Sequence, residues 1–256
     1  MNVLIVYAHP EPASFNAAVV DRARSALEGA GHKVTVSDLY GDGFDPVAGR
    51  HDFTSVANPE AFHYQSEQAH AAKTGGFVPE IAREQERVRA ADILMLQFPL
   101  WWGGPPAILK GWLERVLAYG FAYVDGRRFD TGLFRGRRAL LSVTTGGPIA
   151  RFSEGDVYGE IDKVLWQTKR LALEYMGYEV EEPFVAYAAP RVDESQLAAY
   201  LDELVARVLA VAAKPVDRSL PIANPPDLVP DGPWAQPRGP RNQAPTATPH
   251  PLPPQR

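Results

Sequence analysis

Apolar residues recur along this chain in two alternating rhythms. Asn2 to Ala8 is a continuous apolar run with β-branched positions, which predicts a strand buried on both faces, as in a parallel sheet. Val19, Val20, Ala23, Leu27 and Ala30 then return near helical spacing behind Ser14, which can cap a helix, and Gly31 supplies the stop. His32 to Leu39 alternates through Val34 and Val36 as a second strand. Residues 1–39 read as one βαβ unit with a right-handed crossover.

The rhythm resumes after a long interruption. Gly41 to Gly76 has weak periodicity and is expected to carry little regular structure; long excursions in compact domains are often functional. Ile81 to Ala91 reads as a charged helix and Asp92 to Phe98 as the third strand. Pro105 to Tyr119 reads as a helix with proline near its start, where a missing N–H costs nothing. Arg138 to Thr144 is the fourth strand and Asp156 to Met176 a long amphipathic helix. Tyr178 to Ala188 contains the fifth strand, and Glu194 to Ala213 is the last helix. This alternation predicts an α/β fold: a flavodoxin-like, doubly wound, five-stranded parallel sheet of order 2-1-3-4-5 with helices on both faces.

Composition changes at Pro215. About half of the 24 prolines lie beyond that point and periodicity vanishes, so residues 214–256 are expected to be a Pro-rich tail, loose or laid on a partner subunit. Residues 1–213 are expected to form the catalytic domain. With 256 residues, 45% hydrophobic and 22% charged, the chain has room for one sizeable domain and an appendage. A net charge of -5 argues against a nucleic-acid partner. No apolar run is long enough to span a membrane, and Val3 to Ala8 is too short for a secretory core, so a cytoplasmic location is expected. The absence of cysteine excludes disulfides, thiolate metal sites and a Cys nucleophile. His51, His63 and His70 show no convincing ligand spacing, and no metal site is expected. The charge runs Arg83 to Arg89 and Arg135 to Arg138 read most simply as solvated faces.

Three loops follow three strands, at the edge where open α/β sheets bind ligands. The first, Ala8 to Ala17, opens a helix whose free N–H groups and positive end suit a phosphate, with His9, Ser14 and Asn16 as further donors. A plain cap at Ser14 is the competing reading. No Gly-x-Gly-x-x-Gly fingerprint is present. The second, Pro99 to Gly104, sets Trp101 and Trp102 beside Gly103 and Gly104, a flat aromatic surface suited to a planar ring. Ordinary packing or a dimer contact would also use these indoles, but neighbours in an extended loop point opposite ways and are hard to bury together. The third, Thr144-Thr145-Gly146-Gly147-Pro148, offers hydroxyls and close-approaching backbone to the polar edge of a heterocycle, or is a plain βα turn.

Taken together, these loops resemble the NAD(P)H:quinone oxidoreductase family, the DT-diaphorase-like flavoenzymes. The resemblance is carried by Ala8-His9 with Ser14-Phe15-Asn16, by Ser37-Asp38-Leu39-Tyr40 and by Phe44-Asp45-Pro46. It continues in Phe98-Pro99-Leu100, in Pro106-Ala107-Ile108-Leu109-Lys110-Gly111-Trp112, in Phe121-Ala122-Tyr123 and in Thr144-Thr145-Gly146-Gly147. It runs in order over roughly residues 1–213, and residues 41–90 resemble the longer, FAD-binding members.

The resemblance implies an FAD across the sheet edge, with FMN the lesser alternative. His9, Ser14, Phe15, Asn16 and Ala17 would hold its phosphates and ribityl chain. Pro99, Leu100, Trp101 and Trp102 would wall the isoalloxazine, and Thr144, Thr145, Gly146 and Gly147 would bond its pyrimidine edge. It further implies a homodimer with sites at the interface, closed by Tyr123 of the partner subunit. Hydride would pass from NAD(P)H through FAD to a quinone by a ping-pong route. Trp102, Gly103, Tyr123, Asp125 and Phe152 would line the substrate place. Gly146 and Gly147 would offset charge through their N–H groups, and Tyr158 is the candidate proton donor.

The chain also departs from the family pattern. Phe152 and Tyr158 stand where the family has a Tyr and a His; phenylalanine cannot donate a hydrogen bond, and a phenol of reference pKa about 10 is no ready cation. Asp125 stands where an aromatic residue often lines the pocket, and Gly103 replaces a bulky residue, which suggests room for a polycyclic quinone. Two other readings share the fold: a non-catalytic regulatory partner of a potassium efflux system, and an FMN-dependent azo- or nitroreductase.

Overall fold

The computed structural model describes residues 1–217, 219–220 and 225–229. Its sheet is built from β1 (Asn2–Tyr7), β2 (Lys33–Asp38), β3 (Ile93–Pro99), β4 (Arg138–Thr144), β5 (Glu179–Val180) and β6 (Phe184–Ala186). All pairings are parallel, in the order β2-β1-β3-β4-β5, and β6 also pairs with β4. The predicted fifth strand is thus two short ones. Glu181, Glu182 and Pro183 interrupt it; proline brings no N–H to a ladder.

Among the described residues there are six α-helices: α1 (Phe15–Gly29), α2 (Tyr64–Thr74), α3 (Pro79–Ala90), α4 (Ala107–Val116), α5 (Ile161–Thr168) and α6 (Glu194–Ala212). Val19, Val20 and Leu27 of α1 and Leu204, Val208 and Val211 of α6 pack on Ile5, Met95 and Leu140. On the opposite face, Val88 of α3, Leu109 and Trp112 of α4 and Leu165 of α5 pack on Leu4, Leu96 and Leu141. The central strands bury both faces, which is why their sequences read as unbroken apolar runs.

Three expectations need correction. Residues 41–76 contain α2, a regular helix. Its inward face is largely polar, with Ser66, Glu67 and Gln68 buried, so it shows little apolar rhythm. The long helix begins at Ile161 rather than Asp156, after Gly155 and Gly159 take left-handed conformations of φ 80° and 70°. It then widens into a π-helical stretch over Lys169–Glu174. The Arg135 to Arg138 run is more than a solvated face: Arg137 Nη1 donates to the carbonyls of Val88 and Ala91 at the end of α3, at 3.2 and 3.1 Å. Of the Pro-rich tail, Pro225–Leu228 makes one helical turn, and Val229 is buried against Ala69, Tyr119 and Val124 of its own chain. The remainder of that segment lies outside the described residues.

The excursion after β2 is fastened to α4 by a buried polar lock. Arg115 donates from Nε to Asp52 Oδ1 at 2.9 Å and from Nη1 to Glu80 Oε2 at 2.9 Å. The Tyr64 hydroxyl donates to Asp52 Oδ2 at 2.5 Å, and Trp112 Nε1 donates to Glu84 Oε2 at 3.0 Å. Burial alone would lower the Arg115 pKa, but Asp52 and Glu80 outweigh it and raise it. Gly111 lets the backbone of Pro46 lie against α4: a Cβ there would stand 2.2 Å from the Pro46 carbonyl oxygen.

Candidate active site

The loops after β1, β3 and β4 meet at the carboxyl rim of the sheet, as expected. At the first, Ser14 caps α1, and its Oγ accepts from the Ala17 N–H at 3.2 Å. The N–H groups of Phe15 and Asn16 then have no acceptor among the described residues, which leaves a positive helix end facing the rim. The Asn16 side chain turns inward. Its Nδ2 donates to Thr144 Oγ1 at 3.1 Å, and its Oδ1 accepts from Gln97 Nε2 at 2.8 Å. Two predicted site residues, Asn16 and Thr144, are therefore joined directly beneath the rim. Gln97 Oε1 and Ser142 Oγ, on register-paired residues of β3 and β4, are buried there without a partner among the described residues.

The second loop is a tight hairpin rather than an extended segment. Trp101 and Gly104 exchange both backbone hydrogen bonds at 3.0 Å. Trp102 and Gly103 occupy the turn with φ 51° and 73°, the left-handed pair that such two-residue turns require. Asn and Gly are the ordinary occupants; a Trp there is strained and stands fully in solvent at 106% exposure. Trp101 is 42% exposed, with its ring 6.1 Å from that of His9. His9 Nδ1 in turn accepts from the Glu11 N–H at 3.1 Å. The Leu100 N–H donates to the Thr144 carbonyl at 2.8 Å, fixing this loop to the third. A Cβ on Gly103 would meet no atom within 4 Å, so the space beside the indole is open.

In the third loop, Thr145 Oγ1 donates to the Gly147 carbonyl at 2.8 Å, while the N–H groups of Gly146 and Gly147 are unpaired among the described residues. Gly147 packs on aromatic rings: a Cβ there would lie 2.9 Å from Tyr158 and 3.4 Å from Phe152. Phe152 is buried between Tyr158 and Tyr187, at ring separations of 5.0 and 5.5 Å. Tyr158 itself is half exposed. Burial pushes the Tyr187 hydroxyl pKa up.

Tyr123 and Asp125 belong to a second cluster. Tyr123 stands edge-on to Tyr119 and Tyr175, at 5.4 and 5.8 Å. The Tyr119 hydroxyl donates to Asp125 Oδ2 at 3.2 Å. Burial pushes Tyr119 up to about 12 and raises Tyr123. This cluster borders a cavity of about 780 Å³ between α2, α4 and the end of α5, lined among others by Tyr64, Gln68, Leu113, Leu171 and Tyr175. This cavity thus lies beside Tyr123 and not between the indoles and Gly147.

Two residues at the rim went unread in the sequence. Gln97 reads as one more strand position, although a Gln inside an apolar run was a visible anomaly. Arg191 follows β6, and its Nη1 lies 3.5 Å from where a Cβ on Gly146 would stand. The fifth strand ends at the same sheet edge, so asking which side chain follows it would have found Arg191.

No helix of the described residues is long and apolar enough to cross a membrane. A family model described as flavodoxin-like fold matches residues 1–208. NAD(P)H dehydrogenase (quinone) 1 of Cavia porcellus is 44% identical over 185 residues, covering 72% of this chain and 67% of that protein. The Homo sapiens ribosyldihydronicotinamide dehydrogenase (quinone) is 42% identical over 195 residues, covering 76% and 84%. Among solved structures, a Klebsiella pneumoniae protein described as a quinone reductase superposes with a TM-score of 0.80 at 36% identity, over 84% of this chain and 86% of that one.

Proposed function

This chain belongs to the flavodoxin-like family of NAD(P)H dehydrogenases (quinone), and from that membership we propose that it is a flavin-dependent NAD(P)H:quinone oxidoreductase carrying FAD. The observation that carries the reading is the rim itself. N–H groups at Phe15, Asn16, Gly146 and Gly147, unpaired among the described residues, and two exposed indoles stand on the three loops of one sheet rim. These residues fit a ring with a polar edge and a phosphate tail. When bound, the flavin supplies two-electron chemistry, accepting hydride from NAD(P)H and delivering it to a quinone in a ping-pong sequence.

The chain's own residues hold and shape that place. The N–H groups of Phe15 and Asn16, at the positive end of α1, take the phosphates, with His9 and Ala17 beside them; Ser14 and the Asn16 amide act by fixing the loop. Pro99, Leu100, Trp101 and Trp102 form the wall against one ring face. Thr144 and Thr145 set the third loop, so that the Gly146 and Gly147 N–H groups donate to the ring's polar edge. Phe152 provides a flat apolar surface for the stacked substrate, and the Tyr158 hydroxyl, exposed at the same rim, donates a proton to the quinone oxygen.

The protein acts as a homodimer. In a single chain the rim has one wall, and Tyr123 sits in the neighbouring groove rather than opposite Trp102. A second copy would bring its Tyr123 and Asp125 to that open side. FAD is favoured over FMN because residues 41–90 resemble the longer members and fold as a lobe locked to α4. The space at Gly103 favours a polycyclic quinone over a small one.

The test is direct. Purified protein is denatured and the released flavin identified by mass; the holoprotein is then bleached anaerobically with NADH or NADPH and reoxidised by benzoquinone and by a polycyclic quinone. Release of FAD, rapid bleaching and faster reoxidation by the larger quinone are expected. A holoprotein that NAD(P)H does not bleach overturns the enzyme reading, and preference for benzoquinone overturns the substrate assignment.

A further inference from the structure

We propose that Arg191 is the cation of this site: its guanidinium faces the polar edge of the bound ring and offsets the negative charge that edge gains on reduction. The inference rests on the flavoenzyme reading and adds a residue to it.

A hydride carries two electrons and one proton. Its departure from NAD(P)H leaves NAD(P)⁺, and one unit of negative charge arrives at the rim. In a water-poor pocket that charge requires a facing donor or cation. The two rings packed on Gly147 do not supply a cation: Phe152 has no polar hydrogen, and Tyr158 offers only a hydroxyl. Arg151, beside Phe152 in the same loop, is turned to Asp156 at 3.4 Å. His9 accepts the Glu11 N–H with its Nδ1 and stands beside Trp101.

Arg191 fills this gap by construction. The chain leaves β6 and turns sharply at Ala188, whose φ of 52° is left-handed, a conformation non-glycine residues keep only when their surroundings fix it. The fixing bonds all run to the third loop. The Ala188 N–H donates to the Gly147 carbonyl at 2.9 Å and to Thr145 Oγ1 at 3.3 Å, and the Ala189 N–H donates to the Thr145 carbonyl at 3.0 Å. The Arg191 N–H closes the turn on the Ala188 carbonyl at 2.7 Å. The strained turn thus brings the guanidinium within 3.5 Å of the Gly146 Cβ position. Among the described residues, no carboxylate neutralises it. Asp193, the nearest acid in sequence, accepts from the Gln196 N–H and from Ser195 Oγ. An arginine stays charged throughout the working pH range, so the positive charge is present whenever the ring is reduced.

The experiment uses full-length Arg191→Met and Arg191→Lys proteins. Affinities for oxidised and reduced FAD and riboflavin are measured by titration, and the midpoint potential by equilibration with a reference dye. For Arg191→Met, binding of reduced FAD should weaken about tenfold more than binding of oxidised FAD, the modest effect expected of a partly exposed charge. A tenfold change corresponds to a fall of about 30 mV for a two-electron couple. Riboflavin should show the same difference, and Arg191→Lys should restore most of it. A wild-type potential in Arg191→Met overturns the proposal while leaving the flavoenzyme reading intact. So does an equal loss of both FAD states with riboflavin unaffected, which would make Arg191 a phosphate anchor. Wild-type protein that binds no flavin overturns both.

Discussion

Trp102 should be stabilising when replaced and damaging when lost, and the two effects are separable. Its φ of 51° places a bulky residue in the left-handed region, at a cost of about 1–2 kcal/mol. Glycine occupies that region freely but loses roughly 0.5–1 kcal/mol through its more flexible unfolded chain. The Trp102 side chain is fully exposed in the single chain, so its removal sacrifices no burial there. Trp102→Gly should therefore stabilise the flavin-free protein by about 0.5–1 kcal/mol, which at roughly 2–4 °C per kcal/mol for a domain of this size is a rise of about 1–4 °C. Trp102→Ala keeps the strain and loses the ring, so it should show no such gain. Both should bind flavin about tenfold more weakly, since an aromatic partner contributes roughly 0.5–1.5 kcal/mol beyond its buried area. Urea midpoints of the apoproteins and flavin titrations give the two readings. If Trp102→Gly is no more stable than Trp102→Ala, the strain is not real; if flavin affinity is unchanged in both, the indole is not a wall of the site.

Other parts of the structure give equally definite expectations. Gly111→Ala drives a Cβ to 2.2 Å from the Pro46 carbonyl oxygen and should lower stability by about 1–3 kcal/mol or more, read as a drop in the urea midpoint. Arg115→Met leaves Asp52, which is 0% exposed, without its counter-ion and should cost about 3–5 kcal/mol; a midpoint within error of wild type would show that the lock is unimportant. Burial alone would raise the Glu181 pKa, but hydrogen bonds from Lys214 and Arg138 outweigh it and hold the carboxyl below its usual value. A carboxylate with a depressed pKa stabilises the fold above its unfolded pKa of about 4.3 and loses that contribution as pH falls through the folded value. Glu181→Gln should accordingly be less stable than wild type near neutrality and converge with it on acidification.

The fold was legible where burial is two-sided or cleanly amphipathic. β1, β3, β4, α1 and α6 carry apolar runs or stripes, and the sheet order followed from their alternation. α2 was illegible because its buried face holds Ser66, Glu67 and Gln68, which pair with the excursion and α4 rather than with an apolar core. The three rim loops could be placed from the strands they follow. What lay beyond reach was the direction of their side chains. Nothing in Ser14-Phe15-Asn16 says that Asn16 turns inward to Thr144, and nothing in Trp101-Trp102-Gly103-Gly104 announces a left-handed Trp, since that turn ordinarily selects Asn or Gly. Arg191 was missed for a different reason: the loop after the last strand was not read as part of the rim, and it is the Ala188 turn in that loop that brings the side chain to Gly146.

The measurement that bears most directly on this account is a titration of flavin-free protein with FAD, followed by quenching of tryptophan fluorescence, in wild type and in Gly147→Val. Wild type should bind one FAD per chain with strong quenching from the indoles at the rim. The valine variant, whose side chain would intrude between the third loop and Tyr158, should remain folded and bind poorly. Absence of FAD and FMN binding by the folded wild-type protein, or undiminished binding by the variant, would contradict a ring seated among these three loops.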